Sequence, residues 1–213
     1  MKIKPDLSTI KVLLIKLPHD FNYASYFKVF SLLNWSKINS FLQKKDQLRA
    51  FVSELLQKYW LASILAINPE KLEISFTKDM KPYISQPENI SKTISFNVSH
   101  SGEYVALAVS FDSEISIGID IEFIQSDFPI LEAKSLVFSE SEQVLIGSSV
   151  SEFFKLWTKK EALIKAIGYG FNHECFQATN LNLDDVEVKE NYRIVTHKIE
   201  NYFLSICLTF TKL

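Results

Sequence analysis

Two carboxylates share one face of a strongly patterned segment, "ISIGIDIEFI", at residues 115–124. Isoleucine or phenylalanine fills every second position, an alternation that predicts a strand with one buried face. Asp120 and Glu122 lie on the opposite face, about 7 Å apart along the strand. Carboxylates at this spacing can converge on Mg²⁺, which accepts one or two of them and completes its shell with waters and phosphate oxygens. The alternative is an ordinary solvent-exposed strand face.

A predicted helix downstream adds a third carboxylate and several basic side chains. In "FFKLWTKKEALIK", Glu161 and Lys165 are four residues apart and therefore share a face with Trp157. A magnesium-bound pyrophosphate would require such a set, because the metal neutralises bridging oxygens while lysine meets charge on the leaving group. The alternative is a surface Glu–Lys pair worth about 0.2–0.5 kcal/mol, with Lys159 and Lys160 as plain surface charge.

Polar residues elsewhere have two interpretations each. Ser99 and His100, in "NVSHSGEY", are either residues of a hairpin tip or part of an anion cradle with exposed backbone N–H groups. Glu142 follows Ser139 by three residues, the spacing of a capping box at a helix start. Arg49 is one of only two arginines, and its guanidinium suits a phosphate, although it could equally line the wet side of a helix.

Missing motifs argue against several reactions. The sequence contains no G-x-x-x-x-G-K-[ST] segment and no G-x-S-x-G segment, which argues against P-loop nucleotide chemistry and nucleophile-elbow hydrolysis. The four histidines are scattered without the spacing of zinc ligands. Phosphate chemistry that depends on carboxylates and lysines remains the favoured class.

Composition bounds the remaining classes. The 213 residues are 47% hydrophobic and carry a formal net charge of −2, so no overall field indicates a nucleic-acid partner. The two cysteines are far apart, as expected for free thiols in a reducing compartment. The apolar run near the N-terminus is too short for a signal-peptide core or a membrane span. We therefore expect a cytoplasmic protein without a membrane partner.

The pattern along the chain mixes strands and helices without regular βαβ alternation, which favours the α+β class. We predict a first strand near the N-terminus, a helix from about Ser36 to Ile67, a strand at "KLEISFT", a turn-rich "KDMKPYISQP", and a hairpin of "TISFNVS" and "EYVALAVSF". The second half is predicted to contain helices at "FSESEQVLI" and "SEFFKLWTKKEALIKAIGYG", and strands at "ATNLNLD", "YRIVTHKI" and "YFLSICLTF". The longer helix is expected to begin at Ser149 and to end at Gly168 and Gly170.

An ordered set of motifs resembles a known family. "FNVSHSGEYVALAV", "IGIDIE", "FSESE" and "FFKLWTKKEALIKAIGYG", within residues 96–170, resemble the 4′-phosphopantetheinyl transferases of the surfactin-synthetase-activating type. "KKDQLRAFVSELL" and the Lys81-Pro82 pair extend the match upstream. The resemblance implies a pseudo-dimer of two similar α+β halves with the active site between them. We assign residues 1–114 to the coenzyme A-binding half and residues 115–213 to the metal- and pyrophosphate-binding half.

The resemblance also implies a set of site residues. Asp120, Glu122 and Glu161 match the metal ligands of the family. Glu161, Lys165 and His100 match its catalytic positions, with Glu161 or a water that it orients as the base. The implied contacts with coenzyme A are Lys37, Arg49, Lys81, Pro82, Ser99, His100, Lys160 and Lys165. The chain departs from the family at Met80, where glycine is frequent, and Glu142 matches a motif glutamate that a capping role explains equally well.

The implied function is Mg²⁺-dependent transfer of 4′-phosphopantetheine from coenzyme A to a serine of an apo-acyl or apo-peptidyl carrier protein, with release of 3′,5′-ADP. The resemblance further implies a monomer. The alternative is a non-catalytic coenzyme A- or nucleotide-binding module, or a protein-interaction module, of the same fold.

Overall fold

The computed structural model describes residues 7–91, 93–168 and 180–210. In the first half, three antiparallel strands form a sheet in the order β1–β5–β4, and β2 pairs with β3 in a separate two-stranded sheet. These strands are β1 (Ile10–Lys16), β2 (Glu73–Phe76), β3 (Pro82–Gln86), β4 (Ser95–Ser101) and β5 (Tyr104–Ser110). The predicted hairpin is confirmed, since β4 and β5 are joined by a tight turn in which Gly102 has a φ of 53°.

The helices of the first half are α1 (Trp35–Ser40), α2 (Lys44–Leu55), α3 (Leu61–Ile64) and the short α4 (Glu88–Ser91). A π-helical turn at Leu56–Trp60 joins α2 to α3. The prediction of one uninterrupted helix from about Ser36 to Ile67 is wrong. Phe41 has extended backbone angles, and the side chain of Gln47 donates to its carbonyl oxygen, which replaces a helical hydrogen bond at the break.

The second half contains one antiparallel sheet in the order β6–β9–β8–β7. Its strands are β6 (Ile115–Phe123), β7 (Val186–Val188), β8 (Tyr192–Ile199) and β9 (Tyr202–Phe210), and its helices are α5 (Ile130–Val137), α6 (Glu140–Ile146) and α7 (Val150–Ile167). The capping box of Ser139 and Glu142 is confirmed. Gly168 ends α7 in the left-handed region, as predicted, while Gly170 lies outside the described residues.

Two local predictions are wrong. The segment "KDMKPYISQP", predicted to be turn-rich, contains β3. Pro82 is the first residue of that strand, a position where a missing N–H is tolerated. The described part of "ATNLNLD" forms no strand. There the amides of Leu181 and Asn182 donate to the carboxylates of Glu142 and Glu187 instead of to a neighbouring strand. Residues 178–179 of that segment lie outside the described part of the chain.

The elements stack in four layers. Helix α2 covers one face of the first sheet, the other face of that sheet packs on the isoleucines of β6, and α7 covers the far face of the second sheet. Each half therefore consists of an antiparallel sheet with a long helix, and the predicted α+β class with two halves is confirmed. The division after residue 114 stays a prediction. No helix in the described ranges is long and apolar enough to cross a bilayer.

Strand β6 is buried on both faces, which the alternation of its residues did not predict. A Cβ atom added to Gly118 would lie 2.0 Å from the carbonyl oxygen of Ala162 in α7 and 2.4 Å from the amide nitrogen of Ala166. Asp120 is only 2% exposed. The alternative of a solvent-exposed face is therefore wrong for Asp120. Gly118 is required because the backbone of α7 touches the strand.

The two halves are joined by a row of side chains that we call the β4–β6 ladder. Strand β6 is an edge strand, and its outward amides donate to alternate side chains of β4 at 3.0–3.4 Å. The pairs are Ile117 with Ser95, Ile119 with Asn97, Ile121 with Ser99, and Phe123 with Ser101. Side chains thereby satisfy a strand edge that has no backbone partner.

Candidate active site

A cleft lies between α2 and β4 of the first half and β6 and α7 of the second. It has two lobes of about 490 and 330 Å³, which share lining residues that include Lys37, Glu161 and Lys165. The larger lobe also contains Ser99, His100, Asp120, Glu122 and Trp157. The smaller lobe contains Met80, Lys81 and Pro82. The fold thus brings most of the predicted site residues to one place.

Asp120 is the buried centre of the larger lobe. Its Oδ1 accepts hydrogen bonds from the ammonium of Lys165 at 2.6 Å and from the hydroxyl of Ser99 at 2.8 Å. Its Oδ2 is buried and has no hydrogen-bond partner within the described part of the chain. A buried carboxylate oxygen without a partner is costly, and this one is therefore suited to a ligand.

Glu122 and Glu161 are the other two carboxylates of the lobe. Burial, together with the neighbouring charge of Asp120, raises the pKa of Glu122 to about 7. Burial raises the pKa of Glu161 to about 7 as well, although Lys165, whose Nζ is 3.9 Å from its Oε2, opposes the shift. Ionising either carboxylate therefore costs free energy, and a nearby cation would remove that cost.

These carboxylates fit a divalent cation in chemistry. All three share the lobe with Lys165, and Oδ2 of Asp120 has no hydrogen-bond partner among the described residues. Within the described residues, however, no three His, Cys, Asp or Glu side chains are already grouped as a metal site. The predicted ligand set is therefore present on one wall, but it stays a prediction that the three carboxylates close on one ion.

Lys165 carries the positive charge of the lobe. Burial alone would lower its pKa, but the charges of Asp120 and Glu161 outweigh burial and raise that pKa above its usual value. The ammonium therefore remains protonated at neutral pH. It lines both lobes of the cleft, where it can meet an anionic group.

The smaller lobe is formed around Lys81. Its ammonium donates to the hydroxyl of Ser116 and to the carbonyl oxygen of Ala166 near the end of α7. Burial lowers the pKa of Lys81 to about 8. Pro82 is buried beside it, and Met80 has a positive φ of 65°, a conformation that glycine adopts more easily. That backbone angle accounts physically for the glycine frequent at this position in the resembled family.

Lys37 and Arg49 are held by acids of α2. Lys37 lies 2.8 Å from Glu54, and Arg49 pairs with Asp46 while also donating to the carbonyl of Gly102 at 2.7 Å. Arg49 thus anchors the β4–β5 turn.

His100 belongs to β4, opposite Val105, and not to the hairpin tip that the sequence predicted. Partial loss of solvent and the charge of Arg49 lower the pKa of His100, so its ring is neutral at pH 7.

Lys160 and Glu142 face away from the cleft. Lys160 is 1% exposed, and its Nζ lies 2.7 Å from Oε2 of the fully buried Glu142. Lys159 likewise pairs with buried Glu187 at 2.8 Å. Interpreting the two lysines as surface charge is therefore wrong, because adjacent residues of a buried helix each meet a buried acid. The geometry also gives no support to the expected contact of Lys160 with coenzyme A.

Three polar residues that line the cleft or contact its acids were not predicted from the sequence. Ser101 donates to Oε2 of Glu122 at 2.9 Å. Ser53 and Gln57 line the larger lobe, and the buried Ser53 hydroxyl has no hydrogen-bond partner from any described residue. The spacing of the sequence offered a signal for each. Ser101 follows Ser99 by two residues, just as Glu122 follows Asp120. Ser53 and Gln57 follow Arg49 in steps of four, which places them on the same helix face.

Fold and site together define a class: a two-half α+β protein whose cleft combines buried carboxylates with cations, an arrangement suited to a polyanionic ligand. Comparison with known proteins identifies the family. Residues 17–112 match the family described as 4'-phosphopantetheinyl transferase, N-terminal, and residues 116–207 match the 4'-phosphopantetheinyl transferase superfamily. The chain belongs to the 4'-phosphopantetheinyl transferase family.

Individual relatives agree with this assignment. The chain is 34% identical over 169 residues to the 4'-phosphopantetheinyl transferase gsp of Aneurinibacillus migulanus, an alignment that covers 76% of this chain and 67% of gsp. It is 31% identical to the L-aminoadipate-semialdehyde dehydrogenase-phosphopantetheinyl transferase of Schizosaccharomyces pombe, over 68% of this chain and 62% of that protein. For the human protein of the same description the identity is 29%, over 74% and 56%. The chain thus spans between about half and two thirds of the length of these relatives.

Proposed function

We propose that this protein transfers 4′-phosphopantetheine from coenzyme A to a serine of an apo-acyl or apo-peptidyl carrier protein and releases 3′,5′-ADP. One observation carries the proposal. Three carboxylates of the larger lobe surround Lys165, and one of their oxygens, Oδ2 of Asp120, is buried with no hydrogen-bond partner in residues 7–91, 93–168 and 180–210. A pyrophosphate with a bound cation has the charges to complete that lobe.

Mg²⁺ is the cation that we propose for Asp120, Glu122 and Glu161. When bound there, it would neutralise charge on the pyrophosphate oxygens. Lys165 would then turn its ammonium toward the phosphate of the departing 3′,5′-ADP, where negative charge develops. Neutral His100, which lines the same lobe, would donate a hydrogen bond to a phosphate oxygen.

The transfer exchanges one phosphorus–oxygen bond for another. The serine oxygen of the carrier attacks the phosphorus that bears pantetheine, and the bond from that phosphorus to the bridging oxygen breaks. Glu161, or a water that it orients, takes the serine proton. A carboxylate that stays ionised beside the cation can accept that proton when it lies within hydrogen-bond distance of the serine hydroxyl.

The nucleotide end of coenzyme A is assigned to the smaller lobe. Lys81 and Pro82 would contact the adenine and the 3′-phosphate, with Lys37 at the shared border of the two lobes. Arg49, which donates to the carbonyl of Gly102 in the β4–β5 turn, would reach the 3′-phosphate from there. Ser99, which already donates to Asp120, would sit beside the phosphates. A monomer in the cytoplasm remains our expectation for the working protein.

Intact-mass analysis of carrier proteins tests the proposal. Incubation with coenzyme A, Mg²⁺ and several apo-carriers should add one phosphopantetheine to at least one of them. EDTA should abolish the addition and excess Mg²⁺ should restore it. Asp120→Ala should lower the transfer rate at least about 100-fold. Mutating a residue that merely hydrogen-bonds to a metal ligand typically lowers activity about 10- to 100-fold, and loss of the ligand itself should cost more.

The matched control is Asp127→Ala, which removes an exposed acid of the same half and should transfer normally. Equal rates for Asp120→Ala and the unmodified protein would refute the assigned site. Binding of coenzyme A without transfer to any carrier would instead support the non-catalytic binding module.

A further inference from the structure

We propose that Ser101 is a positioning residue that fixes Glu122 for cation binding. The proposal rests on the function proposed above, and it assigns a role to a residue of the β4–β6 ladder. The hydroxyl of Ser101 accepts a hydrogen bond from the Phe123 amide at 3.1 Å and donates one to Oε2 of Glu122 at 2.9 Å. One side chain thus joins the scaffold of the two halves to a carboxylate of the cleft.

The direction of both hydrogen bonds follows from chemistry. A serine hydroxyl has a single hydrogen and two lone pairs. Because a backbone amide can only donate, the amide of Phe123 must use a lone pair of Ser101. The single hydrogen of Ser101 is thereby left for the carboxylate of Glu122, which can only accept while it is ionised.

The same arrangement occurs two residues earlier. Ser99 accepts from the Ile121 amide at 3.4 Å and donates to Oδ1 of Asp120 at 2.8 Å. A two-residue step on β4 therefore matches a two-residue step on β6, and each acid has its own serine. The register of the ladder sets the distance between the two acids.

Glu122 needs such support more than Asp120 does. Its side chain has one more rotatable bond, and ordering it costs conformational entropy. Trp157 of α7 also hydrogen-bonds Glu122, so the carboxylate is held from both walls. A carboxylate has about four lone-pair sites, and two donors leave capacity for a cation.

Ser95 provides a matched control at the opposite end of the ladder. Its hydroxyl accepts from the Ile117 amide at 3.0 Å, just as Ser101 accepts from Phe123. The β6 residue before Ile117, which corresponds to Glu122 in the Ser101 arrangement, is Ser116 and has no carboxylate. Ser95→Ala therefore removes a rung of the ladder without removing a contact of an acid.

The test measures binding of Mn²⁺, as a spectroscopic substitute for Mg²⁺, by electron paramagnetic resonance in the presence of coenzyme A. Ser101→Ala should weaken Mn²⁺ binding about 10- to 100-fold, the usual effect of losing a hydrogen bond that orients a metal ligand. Ser95→Ala should bind Mn²⁺ as the unmodified protein does. High Mg²⁺ should restore the transfer rate of Ser101→Ala, because the defect lies in binding of the cation.

Equal losses of Mn²⁺ binding in Ser101→Ala and Ser95→Ala would overturn the proposal, because the ladder would then act only as scaffold. Unchanged binding in Ser101→Ala would overturn it as well. If Ser101→Ala fails to fold, Ser101→Cys preserves the side-chain size with a weak S–H donor and should show the same loss.

The proposed function has its own readout in the same series. If the unmodified protein transfers phosphopantetheine and Ser101→Ala binds Mn²⁺ normally, the proposed role of Ser101 is refuted while the proposed function stands. If the unmodified protein neither binds Mn²⁺ nor modifies a carrier, both proposals fail.

Discussion

Replacing Gly118 by alanine should displace the helix that carries two of the site residues. The new Cβ would lie 2.0 Å from the carbonyl oxygen of Ala162 and 2.4 Å from the amide nitrogen of Ala166. Both atoms belong to the backbone of α7 and cannot rotate away. Glu161 precedes Ala162, and Lys165 precedes Ala166, so any movement of these two alanines moves the site.

The size of the effect follows from the contact distance. Real Cβ atoms essentially never approach such atoms more closely than 3.0 Å, so α7 must retreat by about 1 Å, the difference between 3.0 and 2.0 Å. Overpacking of a core commonly costs about 1–3 kcal/mol of unfolding free energy. A misplacement of about 1 Å at a reacting centre can lower a rate about 100-fold, which corresponds to about 2.7 kcal/mol in the barrier.

Two measurements on Gly118→Ala check this reasoning. Denaturant unfolding followed by tryptophan fluorescence gives the stability, and intact-mass kinetics give the transfer rate. Gly147→Ala is the control, since its new Cβ would have no neighbour closer than 4.0 Å. The backbone of Gly147 has a φ of 55°, which strains any residue with a side chain. This variant should lose about 1–2 kcal/mol through backbone strain and retain its transfer rate. Native stability and full activity in Gly118→Ala would refute the close contact of β6 with α7.

Three further predictions concern charge and capping. Lys160→Met should destabilise the fold by about 3–5 kcal/mol, since it leaves Glu142 buried without its partner; adding Glu142→Gln should recover part of that loss in denaturant unfolding. The lowered pKa of Lys81 means that the unfolded chain binds more protons than the folded one between about pH 8 and the usual pKa of lysine. The unfolding free energy of the unmodified protein should therefore rise with pH across that window relative to Lys81→Met, and a flat difference would contradict the burial of the ammonium. Ser139→Ala should cost about 0.5–2 kcal/mol in thermal or denaturant unfolding, because it removes the cap of α6.

Local patterns predicted most of the elements. Alternating isoleucines predicted β6, the tight "SHSG" predicted the β4–β5 hairpin, and Gly168 marked the end of α7. Each of these signals lies within a few neighbouring residues. The break between α1 and α2 could not be predicted in this way, since it depends on a hydrogen bond from Gln47 to Phe41 within a run that is helical by composition.

The candidate site was predictable in its acids and not in its supports. Asp120, Glu122 and Glu161 were suggested by type and spacing, and the fold places all three on the larger lobe. The burial of Lys160 against Glu142 could not be inferred, because nothing in the sequence shows that both faces of α7 are covered. Tertiary contacts between segments distant in the chain decide which charges are site residues and which stabilise the core.

The β4–β6 ladder has a consequence for the protein's behaviour at high concentration. An edge strand with free amides is a template to which a strand of another molecule can add, and such additions begin aggregation. In β6 the outward amides of four residues are already taken by side chains of β4. The ladder therefore protects an apolar, isoleucine-rich strand from pairing with other copies, and its loss should appear as turbidity on concentration or storage.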